Sequence, residues 1–174
     1  MYEAFAASRS IEWDRVHVWQ VDERIAHGAS ESLNITHLRR VLPTDTITHA
    51  MPVDEPDTEL DAAAATYAAT LPERFDVVHL GLGVDGHIAS LIPEDPVLAV
   101  WDRPVATTGP YQGMRRMTLT YPALARADLI LFLVVGIDKR AALSQMLAGD
   151  ERIPASDLTV PNGVVFADID ATTP

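Results

Sequence analysis

The chain has 174 residues, 48% of them hydrophobic and 22% charged, which is the composition of an ordinary globular domain. Its formal net charge of −12 disfavours nucleic acid as the main partner, because neutralising phosphates requires a basic face. The sequence has no cysteine, which excludes disulfides, thiolate catalysis and zinc–thiolate sites, and no apolar run approaches the roughly 20 residues of a membrane-spanning helix.

Strand-like and helical runs alternate along the chain, a pattern typical of an α/β domain with a mostly parallel sheet. The predicted strands are residues 15–21, 75–80, 105–108, 117–120, 129–135 and 164–169. The second and the fifth are continuously apolar, as strands buried on both faces are. We therefore expect a single three-layer α/β/α domain over residues 1–174.

Three helices are expected between these strands. The first covers residues 31–42 and stops at Pro43, and the second covers residues 57–71. The third begins at Lys139 with Asp138 as its cap, and it ends at Gly149. Its predicted buried residues are Ala142, Leu143, Met146 and Leu147. Residues 51–56 are acidic, contain proline and are expected to form a loop.

Polar segments follow three of the predicted strands. They are Asp22-Glu23-Arg24, the glycine-rich loop that contains Asp85 and His87, and the segment 136–139 that ends in Lys139. If the strands are parallel, these segments converge at one edge of the sheet, where ligands of open α/β sheets bind. The sequence therefore predicts a site there.

The glycine-rich loop also has the spacing G-x-G-x-x-G at Gly81, Gly83 and Gly86. A dinucleotide-binding turn needs a helix that starts at the third glycine and an acidic residue about 20 positions further on. Pro93 and Pro96 leave little room for that helix, so we interpret the spacing as a coincidence.

Asp85 and His87 allow two interpretations. A histidine beside a carboxylate in a glycine loop is a candidate general base, with the glycines bringing backbone N–H groups close to a substrate. Alternatively, His87 caps a helical turn and Asp85 supports the loop. The other histidines are expected to be exposed helix and loop residues (His27, His37 and His49) or structural strand residues (His17 and His79).

The loop Gly81-Leu82-Gly83-Val84-Asp85-Gly86-His87-Ile88-Ala89-Ser90-Leu91-Ile92-Pro93 closely resembles the signature of the 6-phosphogluconolactonases. Further similar segments follow the family's order: 13–17 leading to 22–24, then Asn34, 116–120 and 136–139. The resemblance implies the three-layer α/β/α, mostly parallel fold of the NagB/RpiA/CoA-transferase-like proteins. The related glucosamine-6-phosphate deaminases have a similar Asp-Gly-His loop that continues into an Asn-Glu-Pro stretch, whereas the continuation here is Ala89-Ser90-Leu91-Ile92-Pro93, the lactonase form.

The family begins with a strand and a Gly-Gly-Ser/Thr-Pro loop that holds the substrate phosphate, and residues 1–5 look instead like the helix after that loop. The resemblance therefore implies a shortened N-terminus: a fragment, a start at an internal Met, or a reduced homologue.

The resemblance also implies an activity, the hydrolysis of 6-phospho-D-glucono-1,5-lactone to 6-phospho-D-gluconate without metal or cofactor. His87 would be the general base, oriented by Asp85, and backbone N–H groups from Gly83 to Gly86 would stabilise the oxyanion. Arg116 and Lys139 would hold the phosphate, with Arg115 as the alternative to Arg116. Asp22, Arg24 and Asn34 would complete the substrate-binding residues, although Asp22 and Arg24 can also be interpreted as a surface ion pair.

An alternative is a non-catalytic or weakly active sugar-phosphate-binding homologue, and a less favoured one is a deaminase. The expected partner is a small sugar phosphate lactone, with neither nucleic acid nor membrane, and the expected state is a monomer or weak homo-oligomer. The N-terminus lacks the basic-then-apolar layout of a signal peptide, and the absence of cysteine fits a cytoplasmic protein.

Overall fold

The structure is a computed structural model that describes residues 6–26, 31, 33–54, 59–158 and 162–172. Eight strands are described: β1 (His17–Trp19), β2 (Asp22–Arg24), β3 (Ile47–His49), β4 (Phe75–Leu80), β5 (Val105–Thr107), β6 (Arg116–Leu119), β7 (Ala127–Val134) and β8 (Gly163–Ala167). The α-helices are α1 (Asn34–Val41), α2 (Leu60–Ala68), α3 (Tyr121–Leu124), α4 (Arg140–Leu147), α5 (Pro154–Asp157) and α6 (Ile169–Thr172). None of these helices is long and apolar enough to cross a bilayer.

The strands form two parallel groups and one antiparallel group. β1 pairs with β3, and β4, β7 and β8 lie side by side in that order, all parallel. β2, β6 and β5 form an antiparallel sheet. The α/β/α fold with mostly parallel pairing is as the sequence predicts. Five strands, β4 to β8, lie within two residues of their predicted bounds.

The predicted strand 15–21 is wrong as one element, because the chain changes sheet near Gln20. The buried Gln20 side chain donates to Glu23 Oε2 at 2.7 Å and accepts from the Met51 amide at 2.9 Å. These bonds take the chain from β1 in the parallel pair to β2 in the antiparallel sheet. Asp22 and Arg24 consequently lie on a strand rather than in a loop beyond one.

A groove of about 990 Å³ separates β1 from β4. Within the described residues, β3 is the strand neighbour of β1, and β7 is the strand neighbour of β4. Val77 lies on β4, a strand predicted to be buried on both faces. Its side chain instead lines the groove and is 53% exposed. Asp22 and Asn34 also line the groove.

The helices are shorter than predicted, and one cap differs. α1 begins at Asn34, and α2 spans Leu60–Ala68 within the predicted 57–71. Asp138 does not cap α4, because it lies in a short 3₁₀ turn (Ile137–Lys139) that precedes that helix. Gly149 ends α4 with φ of +67°, as predicted. Ala142 and Leu143 are buried, but Leu147 is exposed.

Four histidine predictions can be compared with the structure, since only His27 lies outside the described residues. His17 and His79 lie on β1 and β4, as predicted. His37 is exposed on α1, as predicted. The prediction for His49 is wrong, since it is half-buried on β3 rather than exposed in a helix or loop. Its Nε2 is 3.1 Å from His17 Nδ1 and its ring stacks on Trp19, because parallel pairing of β1 with β3 aligns these side chains.

Candidate active site

The glycine loop after β4 is held by its own backbone and by two buried side chains. The Gly83 amide donates to the His87 carbonyl at 2.8 Å, and the Gly86 amide donates to the Gly83 carbonyl at 3.1 Å. Ile88 and Leu91 are fully buried, which ties the loop to the hydrophobic core. Residues 84–95 are described without an α-helix, so the dinucleotide interpretation stays excluded.

The loop closes tightly around His87 and Asp85. His87 Nδ1 lies 2.6 Å from Asp85 Oδ1. An ionised carboxylate only accepts hydrogen bonds, so this contact places the proton on Nδ1 and leaves Nε2 as an acceptor. Burial acts to raise the pKa of Asp85, but hydrogen bonds and the charge of His87 outweigh it and lower that pKa below its ordinary value.

The directions in which the loop amides point correct one expectation from the sequence, namely that the backbone N–H groups from Gly83 to Gly86 are available to an oxyanion. Because the Gly83 and Gly86 amides donate within the loop, they are not available to a substrate oxyanion. Among the described residues, the amides of Val84 and Asp85 in the same turn have no acceptor. Gly83 still serves the site, since a Cβ there would overlap the His87 ring.

Asp22 stands at the centre of a second group of polar side chains, on β2. Its Oδ2 accepts a hydrogen bond from the Ser90 hydroxyl at 2.7 Å, and Asn34 Nδ2 lies 3.3 Å from its Oδ1. Arg116 Nη1 is 4.0 Å from Oδ2. Burial raises the pKa of Asp22, against the opposing effects of the Ser90 hydrogen bond and the Arg116 charge.

Neighbouring Glu23 has a different role, which sequence reasoning missed. Its side chain is fully buried and accepts hydrogen bonds from the Asn34 and Ile35 amides at 2.9 and 2.8 Å. These amides are the first donors of α1, so Glu23 caps that helix from another element. The cap fixes Asn34, whose Oδ1 accepts from Arg24 Nη1 at 3.3 Å.

Arg116 lies in the site because β6 runs antiparallel to β2, with Arg24 opposite Arg116 in register. Its side chain is 9% exposed, and its Nε is buried without a hydrogen-bond partner among the described residues. Arg115 points to β5, where it bonds the Thr108 carbonyl and the Thr107 hydroxyl. The geometry therefore favours Arg116 over Arg115 as the anion-binding cation.

Tyr111, which sequence reasoning did not select, links the two groups. Its hydroxyl donates to Asp85 Oδ2 at 3.0 Å, and the Arg116 guanidinium lies 5.0 Å from the centre of its ring. The structure thus brings together His87, Asp85, Tyr111, Arg116, Asp22, Ser90, Asn34 and Arg24.

Lys139 lies apart from this network. It follows β7, which is parallel to β4, so both strands end at the same edge of the sheet. Its Nζ is 3.7 Å from Asp138 Oδ2, and among the described residues no contact joins it to His87, Asp85 or Arg116. Nor do the described residues hold any group of three or more His, Asp or Glu side chains arranged for a metal ion.

The raised pKa of Asp22 predicts that the stability of the protein depends on pH. Folded Asp22 keeps its proton above its ordinary pKa of 3.8, so the stability that this group contributes is present below that value and is lost as the pH rises through the raised pKa. Asp22→Asn imitates the protonated form at every pH. We expect its free energy of unfolding, relative to wild type, to increase as the pH rises from about 4 towards neutrality.

Urea unfolding at both ends of this pH range measures that difference. Ser90→Ala is the control, because it removes a hydrogen bond to Asp22 but keeps the titrating carboxyl. A difference between Asp22→Asn and wild type that is constant or shrinks with pH would show that Asp22 is not held protonated by burial.

Three comparisons place the chain among known proteins. Residues 1–166 match the sequence model of the glucosamine-6-phosphate isomerases/6-phosphogluconolactonase family. A 6-phosphogluconolactonase of Nostoc sp. is 38% identical, with 93% of this chain and 70% of the relative covered. One of Synechocystis sp. is 37% identical, with 85% and 66% covered. The chain thus spans about two thirds of the length of these relatives.

Solved structures agree with the fold. The crystal structure of a 6-phosphogluconolactonase from Thermotoga maritima superposes with a TM-score of 0.82 at 28% identity, covering 95% of this chain and 78% of that one. A 6-phosphogluconolactonase from Trypanosoma brucei superposes with a TM-score of 0.83, covering 98% of this chain and 79% of that one. At 20% identity, this similarity concerns the fold alone.

Proposed function

Because the chain belongs to the glucosamine-6-phosphate isomerase/6-phosphogluconolactonase family, we propose that it hydrolyses 6-phospho-D-glucono-1,5-lactone to 6-phospho-D-gluconate. The observation that carries this proposal is the Asp85–His87 pair, 2.6 Å apart, in a loop at the carboxyl end of β4. That pair leaves a histidine Nε2 available as a base, which lactone hydrolysis requires.

The proposed reaction begins when His87 Nε2 takes a proton from water and the oxygen attacks the lactone carbonyl carbon. The amides of Val84 and Asp85 are the donors available to the oxyanion that develops on the carbonyl oxygen. When the tetrahedral intermediate collapses, the bond to the ring oxygen breaks and His87 returns the proton to that oxygen. Asp85 stays ionised and stabilises the protonated imidazole between the two transfers.

Arg116 and Lys139 are proposed to bind the phosphate. Arg116 supports this proposal because its guanidinium is buried and its Nε has no acceptor within the described part of the chain. Lys139 is half-buried at the start of α4, where backbone amides also favour an anion. Asp22, Asn34 and Arg24 offer carboxyl, amide and guanidinium groups on the side of Arg116, and we assign them to the sugar hydroxyls.

The test is formation of 6-phosphogluconate by the chain above the spontaneous hydrolysis of the lactone, detected by coupled reduction of NADP⁺. We expect enzyme-dependent formation of 6-phosphogluconate. Release of ammonia from glucosamine 6-phosphate would instead identify a deaminase. Calorimetric binding of 6-phosphogluconate without turnover of the lactone would identify a sugar-phosphate-binding homologue.

We further propose that residues 1–174 act as one domain in the cytoplasm, as a monomer or weak homo-oligomer with no nucleic acid partner. A hydrophobic core that runs from Leu33 to Ala171 supports the single domain. The net charge of −12 repels nucleic acid phosphates. Sedimentation velocity measures the oligomeric state.

Lys139→Ala is expected to raise KM for the lactone while kcat changes little, because the phosphate is remote from the bond that breaks. Loss of one charge-assisted contact costs about 1.5–3 kcal/mol, which is roughly a 10- to 150-fold change in KM. Added salt should narrow the difference from wild type, since it screens this charge.

Steady-state kinetics at low and high salt measure the effect of Lys139→Ala. Arg126→Ala is the matched control, because it also removes one positive charge but lies before β7, at the opposite end of the strand. Equal KM values for Lys139→Ala and Arg126→Ala would assign Lys139 to the solvated surface.

A further inference from the structure

Tyr111 is held at a tight turn between β5 and β6. Its amide donates to the Met114 carbonyl at 2.9 Å, and the Met114 amide donates back to the Tyr111 carbonyl at 3.1 Å. The two residues between them, Gln112 and Gly113, have φ of +51° and +80°, the left-handed values of a two-residue hairpin turn. This turn fixes the position from which the Tyr111 side chain extends.

The hydroxyl of Tyr111 completes the environment of Asp85. Asp85 has one oxygen for each neighbour: Oδ1 accepts from His87 Nδ1 at 2.6 Å, and Oδ2 accepts from the Tyr111 hydroxyl at 3.0 Å. With both oxygens engaged, the carboxylate cannot rotate away from His87 without losing a hydrogen bond. Tyr111 therefore restricts the orientation of the carboxylate that sets the tautomer of His87.

The ring of Tyr111 makes two more contacts. Its edge meets the His87 ring, with 5.5 Å between centroids and an angle of 70° between planes. Its face carries the Arg116 guanidinium at 5.0 Å, a cation–π distance. The carboxylate neighbour of Arg116, Asp22, lies further away than a hydrogen bond, with 4.0 Å between Nη1 and Oδ2.

We propose that Tyr111 is a positioning residue that couples the two halves of the site, its hydroxyl orienting the Asp85–His87 pair and its ring supporting Arg116. This inference rests on the proposed lactone hydrolysis. It separates two effects within one side chain: the hydroxyl serves the proton transfer, and the ring serves the binding of the anion.

Two variants of the full chain separate these effects. Tyr111→Phe removes the hydroxyl and keeps the ring, so we expect kcat to fall about tenfold with KM within twofold of wild type. Tyr111→Ala removes both, and we expect the same fall in kcat together with a rise in KM of about tenfold. Tyr121→Phe is the matched control, because it removes the hydroxyl of a buried tyrosine that bonds the Pro154 carbonyl outside this network.

A second readout does not depend on turnover. In ¹⁵N-histidine spectra of the ligand-free protein, wild-type His87 should be protonated at Nδ1, and Tyr111→Phe should shift it toward a mixture of tautomers, whereas Tyr121→Phe should not. If wild type hydrolyses the lactone, a kcat of Tyr111→Phe within twofold of wild type overturns the role of Tyr111. If wild type is inactive, the proposed function fails, and an unchanged His87 tautomer in Tyr111→Phe then overturns the inference about Tyr111.

Discussion

His87→Ala is expected to lower kcat for lactone hydrolysis by about 10²–10⁴-fold, the usual contribution of a general base. This corresponds to roughly 3–5 kcal/mol of transition-state stabilisation. The physical reason is that, in the proposed mechanism, Nε2 both removes the proton from the attacking water and returns it to the leaving ring oxygen. KM should change less, because in the proposed mechanism His87 acts on the reacting groups rather than on the phosphate.

His49→Ala is the control for His87→Ala. His49 is also half-buried and also contacts another side chain, but its partners are His17 and Trp19 on β1. We expect His49→Ala to keep kcat within about twofold of wild type. A folded His87→Ala variant with a kcat within two- or threefold of wild type would remove His87 from the mechanism.

Gly83→Ala should inactivate the enzyme nearly as strongly without deleting any catalytic group. An added Cβ at this position would overlap the His87 ring and lie 2.6 Å from Asp85 Oδ1. One of the two side chains must move, and displacement of a catalytic group by about 1 Å can cost 10²-fold in rate. We therefore expect kcat to fall by about 10²-fold or more.

Gly81→Ala is a close control for Gly83→Ala, since it makes the same chemical change two residues earlier, where an added Cβ meets no described atom within 4 Å. Both variants should be compared by kcat and by urea unfolding. Full activity of Gly83→Ala would mean that the loop does not need to approach His87 closely, contrary to the described geometry.

Sequence patterns predict the central strands of this fold better than the places where the chain passes from one sheet to another. The long apolar runs at β4 and β7 identified both strands, because continuous burial in a parallel sheet leaves a local signal. The break at Gln20 has no such signal, since it depends on hydrogen bonds to Glu23 and to the distant Met51. Likewise, the exposure of Val77 depends on which strands lie beside β4.

The candidate site was predictable where its parts are close in sequence. Asp85 and His87 are two residues apart, and their contact follows from the turn that contains them. Tyr111 could not be found this way, because its bond to Asp85 spans 26 residues and depends on the turn before β6. The sequence also could not show which loop amides are free to donate to a substrate, because residue identity does not tell which way an N–H points.

His87 and Asp85 are proposed to act as one unit on the lactone, and a double-mutant cycle measures this coupling. The cycle compares kcat/KM for wild type, His87→Ala, Asp85→Ala and the double variant. If Asp85 acts only through His87, the double variant should be about as active as His87→Ala alone. Independent effects, in which the two losses multiply, or an Asp85→Ala variant as active as wild type, would contradict the claim.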